Sequence, residues 1–345
     1  MVHAQEGWHL ELEDKKEPLT YKGVVYNEMK GVYSSADSLL NRESQRSLFP
    51  DNTYGVDSGG DPSVIPDLSF DQFADFHAKF YHPANSRIYF SGDDDVYKRL
   101  EIMDEYLKDF GPSPESKPAS EIKWQKKKYT EPVHSKNFYP AGADQDETHM
   151  IQVNWLLNDE PLSATEELTL NLLDHLLMGT TSSILRKTLT ESGLGEAVTG
   201  GGLSDELLQT TFSVGLKGVE PSKVEEVERL IFDTLAKVAE EGFPEEAIAS
   251  SMNTVEFQLR EFNTGSFPKG LSLMLGSMSK WLYDKSPTEA LKFEKPLAEL
   301  KAKIAESGSK VFTDMIKDIM LNNSHRSTVE MAPSKTLEAE QLKVN

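Results

Sequence analysis

Cysteine is absent from all 345 residues, which excludes disulfides and thiolate metal sites and leaves histidine and carboxylate side chains as the donors for any metal chemistry. Such a composition suits a reducing compartment. Long hydrophobic runs are missing as well: no stretch of about 18 apolar residues occurs, so the sequence holds no candidate membrane span. The amino-terminal segment, with Glu6, Glu11, Glu13 and Asp14 close behind Met1, has neither the basic start nor the apolar run of a signal peptide. It is too acidic for a transit peptide, and any organelle address is expected upstream of Met1. Positive charge is scarce: 36 Lys and Arg face 57 Asp and Glu, for a net charge of -21. That balance argues against nucleic acid as a partner and favours cationic ligands, because carboxylate-lined surfaces concentrate positive partners. Solubility is the plain alternative role for the same charge.

What is present is a chain of ordinary apolar content, 38%, long enough for one large core or two ordinary ones. From Pro18 to about Phe49 the spacing predicts helix, with Val24, Val25, Met29 and Val32 at three- and four-residue intervals and a break near Ser34, Ser35 and Ala36. Pro50 and a Gly-, Asp- and Pro-rich loop over 54–66 end it. Ser69, with Gln72 three residues on, announces a second helix carrying Phe70, Phe73, Phe76 and Phe80 on one side. Alternation and periodicity then predict a strand over 86–91, a helix over 96–110, a Pro-rich linker over 111–120 and strands over 129–138 and 149–157. A helix over 163–178, a strand over 210–216 and helices over 221–241, 244–262 and 271–281 follow. Gly200, Gly201 and Gly202 match no phosphate-loop pattern and are expected in a loop. The run from Phe80 to Tyr89 is echoed by that from Ile319 to Thr328, each a helix end running toward a strand. The echo suggests the end of one α+β unit followed by nearly all of a second.

One acid stands out. On a helix, Val24, Val25 and Val32 lie four before, three before and four after Glu28, which sets this carboxylate within an apolar stripe. Desolvated there, it needs a proton, a basic partner or a bound cation. A buried ion pair, or an acid bent out to water, is the plain account of it. His77 and His82 are five residues apart, which a helix places on different faces, so they are expected to cap and pack a helix end. His9, His149, His175 and His325 have no histidine or carboxylate at ligand spacing.

Residues 6–12 (EGWHLEL), 23–33 (GVVYNEMKGVY), 54–62 (YGVDSGGDP), 80–85 (FYHPAN), 193–195 (GLG) and 293–297 (FEKPL) together resemble the presequence proteases, zinc peptidases of the pitrilysin (inverzincin) kind, and the resemblance covers essentially the whole chain. It implies an α+β fold of two consecutive pitrilysin-like domains, with antiparallel sheets packed against helices. Residues 1–111 would be the carboxy-terminal portion of a first, catalytic-type domain truncated at its amino terminus, and 112–145 a linker and incoming strand. Residues 146–333 would form the second domain, and 334–345 the start of a linker to a carboxy-terminal half outside the chain.

In that family an H-x-x-E-H helix supplies two zinc-binding histidines and the general base, and a glutamate in an N-E-M-K-G setting completes the site. By position Glu28 resembles that glutamate. No H-x-x-E-H occurs in this sequence, so the resemblance implies Zn2+ as cofactor, Glu28 as a metal ligand, no catalytic residue within the chain, and a general base upstream of Met1. It further implies ATP-independent degradation of unfolded peptides, above all basic presequences, in the mitochondrial matrix or plastid stroma. The missing carboxy-terminal half is the implied partner, and the chain by itself is expected to be inactive. The alternative is a non-catalytic pitrilysin-like homologue acting as a peptide-binding or structural subunit.

Overall fold

The computed structural model describes residues 6–141 and 148–337; the expected linker from 338 onward and part of the 112–145 segment lie outside the described residues. Packing divides the chain into a larger unit, Met1–Pro66, Trp124–Phe262 and Phe293–Asn345, and a smaller one, Asp67–Lys123 and Asn263–Lys292. The larger unit contains, in order, β1 (His9–Glu11), β2 (Thr20–Lys22), α1 (Val24–Ser34), α2 (Ala36–Leu48), β3 (Val133–Pro140), β4 (His149–Leu156), α3 (Ala164–Met178) and α4 (Ile184–Glu191). After these come β5 (Ala197–Ser204), β6 (Thr211–Val219), α5 (Val224–Glu241), α6 (Glu245–Glu261), α7 (Glu294–Ser307), α8 (Lys310–Ile316) and β7 (Arg326–Ser334).

The organising element is β4, buried at every position because both of its faces are covered. Ile151, Val153 and Trp155 point into the main core with side chains of α3, α5 and α8. Trp155 packs edge-on to Phe212 and Phe232 and donates its Nε1–H to the Met320 carbonyl at 3.0 Å. Each such large side chain withdrawn from water contributes about 1.5–3 kcal/mol, which makes this layer the main source of stability. The sheet runs β3-β7-β4-β6-β5. The α+β class is as expected, with the refinement that β3 and β7 pair in parallel while the other pairs are antiparallel.

Two sequence expectations are corrected here. The Gly200–Gly202 run lies inside strand β5, where the pairing with β6 shifts register between Thr199 and Gly202. Glycine is needed at 202, where φ is +72° and any Cβ would collide with the Asp174 carboxyl of α3, which accepts the Leu203 N–H at 3.0 Å. The strand expected over 86–91 does not form. No neighbouring strand exists among the described residues of the smaller unit, and an unpaired strand leaves its backbone groups without partners. That unit is instead helical, over Phe70–Phe80, Val96–Leu107 and Lys269–Trp281, with the reciprocal Ser69–Gln72 cap in place. Arg87 and Lys117 each reach Asp284 at 2.7 Å.

Candidate metal-ligand helix

Helix α1 begins where the β1–β2 hairpin closes against it. Gly23 adjoins Gly7 and Trp8 so tightly that a Cβ would strike their backbone, and the Gly23 carbonyl accepts the Asn27 N–H that opens the helix. Trp8 packs edge-on to Tyr21, and Tyr21 against Tyr26. Within α1 the buried side chains are Tyr26, Met29 and Tyr33, three and seven residues from the first, one continuous stripe.

The helix therefore has two apolar stripes and buries the larger one. Val24, Val25 and Val32, 55%, 41% and 38% exposed, share the other face with Glu28, which is itself exposed. The acid shares a face with valines, as the spacing predicts, but that face is exposed rather than desolvated. Two tyrosines and a methionine gain more by burial than three valines do, and the valine side stays largely open to solvent among the described residues.

Among the described residues no group of three or more His, Asp or Glu side chains is placed to hold a metal ion. A lone exposed carboxylate is a single hard oxygen donor, whereas a protein zinc site needs three or four. The donor set of the described residues thus does not fit a metal by itself.

What the residues around Glu28 do is hold its helix. The loop after α2 folds back under α1, where a Cβ on Gly59 would meet the Met29 sulfur. Asp57 accepts the Gly59 N–H at 3.0 Å, and Asp61 accepts the Ser63 N–H at 2.9 Å and its hydroxyl at 2.6 Å. The second oxygen of Asp61 takes Arg42 of α2 at 3.0 Å, and that guanidinium lies 4.3 Å from the ring centre of Tyr33. Burial pushes the Tyr33 phenol up to about 12, so it stays neutral at any physiological pH. In sequence, Asp57, Gly59 and Asp61 served only as markers of resemblance. Their structural task was hidden because it depends on a helix ending more than twenty residues earlier.

The histidines are spread apart. His77 stacks on Tyr81 and His82 accepts the Ala84 N–H at 3.1 Å, the helix-end role expected of them. His149 meets Glu330 at 2.5 Å across the sheet. His325 is buried, contacts the Leu48 carbonyl through Nε2 at 2.8 Å and accepts the Tyr129 N–H through Nδ1 at 3.3 Å. None of them joins Glu28 in a group able to hold a metal.

Comparison with known proteins gives a consistent set of relatives. Residues 67–255 match the family described as Peptidase M16 inactive domain. The chain is 58% identical over 332 residues to presequence protease 1, chloroplastic/mitochondrial, of Arabidopsis thaliana, covering 95% of this chain and 31% of that protein. It is 40% identical over 339 residues to Protein HypA of Clostridium perfringens, covering 97% of this chain and 34% of that one. It thus spans about a third of the length of the curated relatives it matches. Among solved structures, the peptidase M16 inactive domain of Pseudomonas fluorescens superposes with a TM-score of 0.63 at 18% identity, over 90% of this chain and 69% of that one, a likeness of fold.

Proposed function

The chain belongs to the M16 peptidase family, matching its inactive domain over more than half of its length, and from that premise we propose that it forms part of an ATP-independent zinc oligopeptidase that degrades targeting presequences and other short unfolded peptides. In this reading it contributes structure and one metal ligand, Glu28, and hydrolyses nothing by itself. The remaining ligands and the general base would come from polypeptide outside it. The metal, when bound, would supply an activated water and polarise the scissile carbonyl. The supporting observation is the placement of Glu28 beside Val24, Val25 and Val32 on a helix face left uncovered, while the opposite face and the Asp57–Asp61 loop fix the helix in place.

Several further elements belong to the same proposal. The natural partners are basic, unfolded peptides, drawn by the net charge of -21, together with the remainder of such an enzyme. The compartment is the mitochondrial matrix or plastid stroma. Residues 1–111 are read as the carboxy-terminal portion of a first pitrilysin-like domain and 146–333 as a second. The match to a domain described as inactive favours one second reading, a non-catalytic peptide-binding or structural subunit.

The test replaces the matching third of the Arabidopsis presequence protease with this chain and follows cleavage of a basic peptide. A working, chelator-sensitive hybrid that Glu28→Gln slows by about a hundredfold or more supports the peptidase reading. An inert hybrid, alongside peptide binding by the chain alone, supports the second. Undiminished cleavage by the Glu28→Gln hybrid removes Glu28 from the site.

A further inference from the structure

Helix α2 rests on the sheet through leucines near its ends, Leu39 and Leu40 at one and Leu48 at the other, but through polar side chains in its middle. Beneath its middle the sheet face is polar: Gln152 and Asn154 of β4 and Ser327 of β7 are 2%, 1% and 0% exposed. Asn154 and Ser327 are direct neighbours across the β4–β7 pair. Apolar side chains flank this polar patch, with Met150 and Met331 at one end and Leu156 at the other, and buried Val329 stands directly across from Gln152.

Several of these buried groups are satisfied by the helix or by one another, although Gln152 Oε1 has no hydrogen-bond partner among the described residues. Gln152 donates from Nε2 to the Ser44 hydroxyl of α2 at 3.0 Å and to Asn154 Oδ1 at 2.9 Å. The hydroxyls of Ser47 and Ser327 meet at 2.6 Å. Since Ser47 Oγ also donates to the Ser44 carbonyl at 2.7 Å, Ser327 is the donor of that pair. At the end of α2, the Tyr129 hydroxyl donates to the Ser47 carbonyl at 2.6 Å, and the Leu48 carbonyl takes His325 Nε2.

A buried amide or hydroxyl that loses its partner is penalised heavily, whereas apolar side chains tolerate sliding over one another. This seam therefore admits one rotational and translational setting of α2 and penalises the neighbouring ones. Ser35 alone joins the two helices: its N–H caps α1 at the Val32 carbonyl, and its hydroxyl caps α2 at the Ser38 N–H. With a single residue between them, the setting of α2 is passed directly to α1.

We propose that Ser44, Ser47, Gln152, Asn154 and Ser327 are positioning residues that hold the Glu28 helix in one register on the sheet. The inference rests on Glu28 being a ligand for its functional meaning, but not for its test. Metal geometry tolerates little displacement of a donor, so a carboxylate supplied to ligands on other polypeptide has to arrive preplaced. A polar key accomplishes that where an apolar contact would leave the helix free to shift.

The absence of cysteine makes the measurement direct. Spin labels on Glu28→Cys and Ala236→Cys, the latter an exposed site on α5, report the distance from α1 to the far face of the sheet in the 345-residue chain. Labels on Lys187→Cys and Ala236→Cys report the helix layer alone. We expect a narrow distribution for both pairs, retained with Ser47→Thr, which keeps the hydroxyl. Ser47→Ala and Gln152→Leu should broaden and shift the first pair while leaving the second unchanged. A first pair that stays narrow in both variants overturns the proposal. So does equal broadening of both pairs, since the seam would then be supporting the whole unit and not registering the helix. Neither result depends on whether Glu28 binds metal, which the hybrid enzyme decides separately.

Discussion

Asp174 is held at an energetic cost. Burial raises its carboxyl to about 6, opposed by the hydrogen bond from the Leu203 amide and the attraction of Arg186. Because the folded state holds this proton more tightly than the unfolded chain, the associated stability is complete below about pH 4 and is lost as pH rises through 6. At pH 7 the ionised group costs about 2–3 kcal/mol. Asp174→Asn keeps an acceptor for Leu203 and sheds the charge, so denaturant titration should find it about 1–2 kcal/mol more stable than the parent at pH 7, with the difference vanishing near pH 4. His325 acts in the opposite direction. Burial lowers its pKa, so its contribution is present above about 6.5 and is lost as pH falls through the folded value. His325→Gln, able to donate to Leu48 and accept from Tyr129, should flatten the decline in stability between pH 7 and 5; an unchanged slope would assign the acid response elsewhere.

Elements whose signals are local were legible in the sequence, and those that depend on distant partners were not. The reciprocal cap Ser69–Gln72 marks a helix start that the sequence shows; Ser163–Glu166 forms a second such cap in the structure, and replacing Ser163 by Ala should cost about 1 kcal/mol in thermal or chemical denaturation. The break at Ser35 divided α1 from α2 as the spacing predicts. The strand β5 went unseen because glycine favours loops by propensity, while its place here follows from a bulge over Asp174. The segment 86–91 misled in the reverse direction, since alternation describes one strand and pairing requires two. Glu28 was found by spacing, but the face it occupies was settled by competition between two apolar stripes, and spacing alone does not rank them. The seam under α2 left no mark at all, because Gln152, Asn154 and Ser327 are unremarkable until the fold brings them together.

At the scale of the whole molecule the two units differ in how they are held. The larger one has a continuous apolar core on one face of its sheet and a second cluster on the other. The smaller one buries no apolar side chain among its described residues, although Phe70, Phe73, Phe76, Tyr97 and Tyr106 are all in it and all exposed. Regions with few buried apolar contacts open most readily. Native-state hydrogen exchange should therefore find amides of 70–80 and 96–107 exchanging orders of magnitude faster than those of β4 and β6; equal protection would mean that the smaller unit gains a core from contacts this chain does not show.

On the proposed function, Glu28 is one donor to a metal site whose other ligands lie on polypeptide outside this chain. Zinc stoichiometry, measured by elemental analysis after dialysis, decides the point. No tightly bound zinc is expected in the 345-residue chain, about one zinc per molecule when the chain replaces the matching third of the Arabidopsis protease, and loss of that zinc in the hybrid carrying Glu28→Gln. Stoichiometric zinc in the chain alone, or full retention by the Glu28→Gln hybrid, would contradict that role for Glu28.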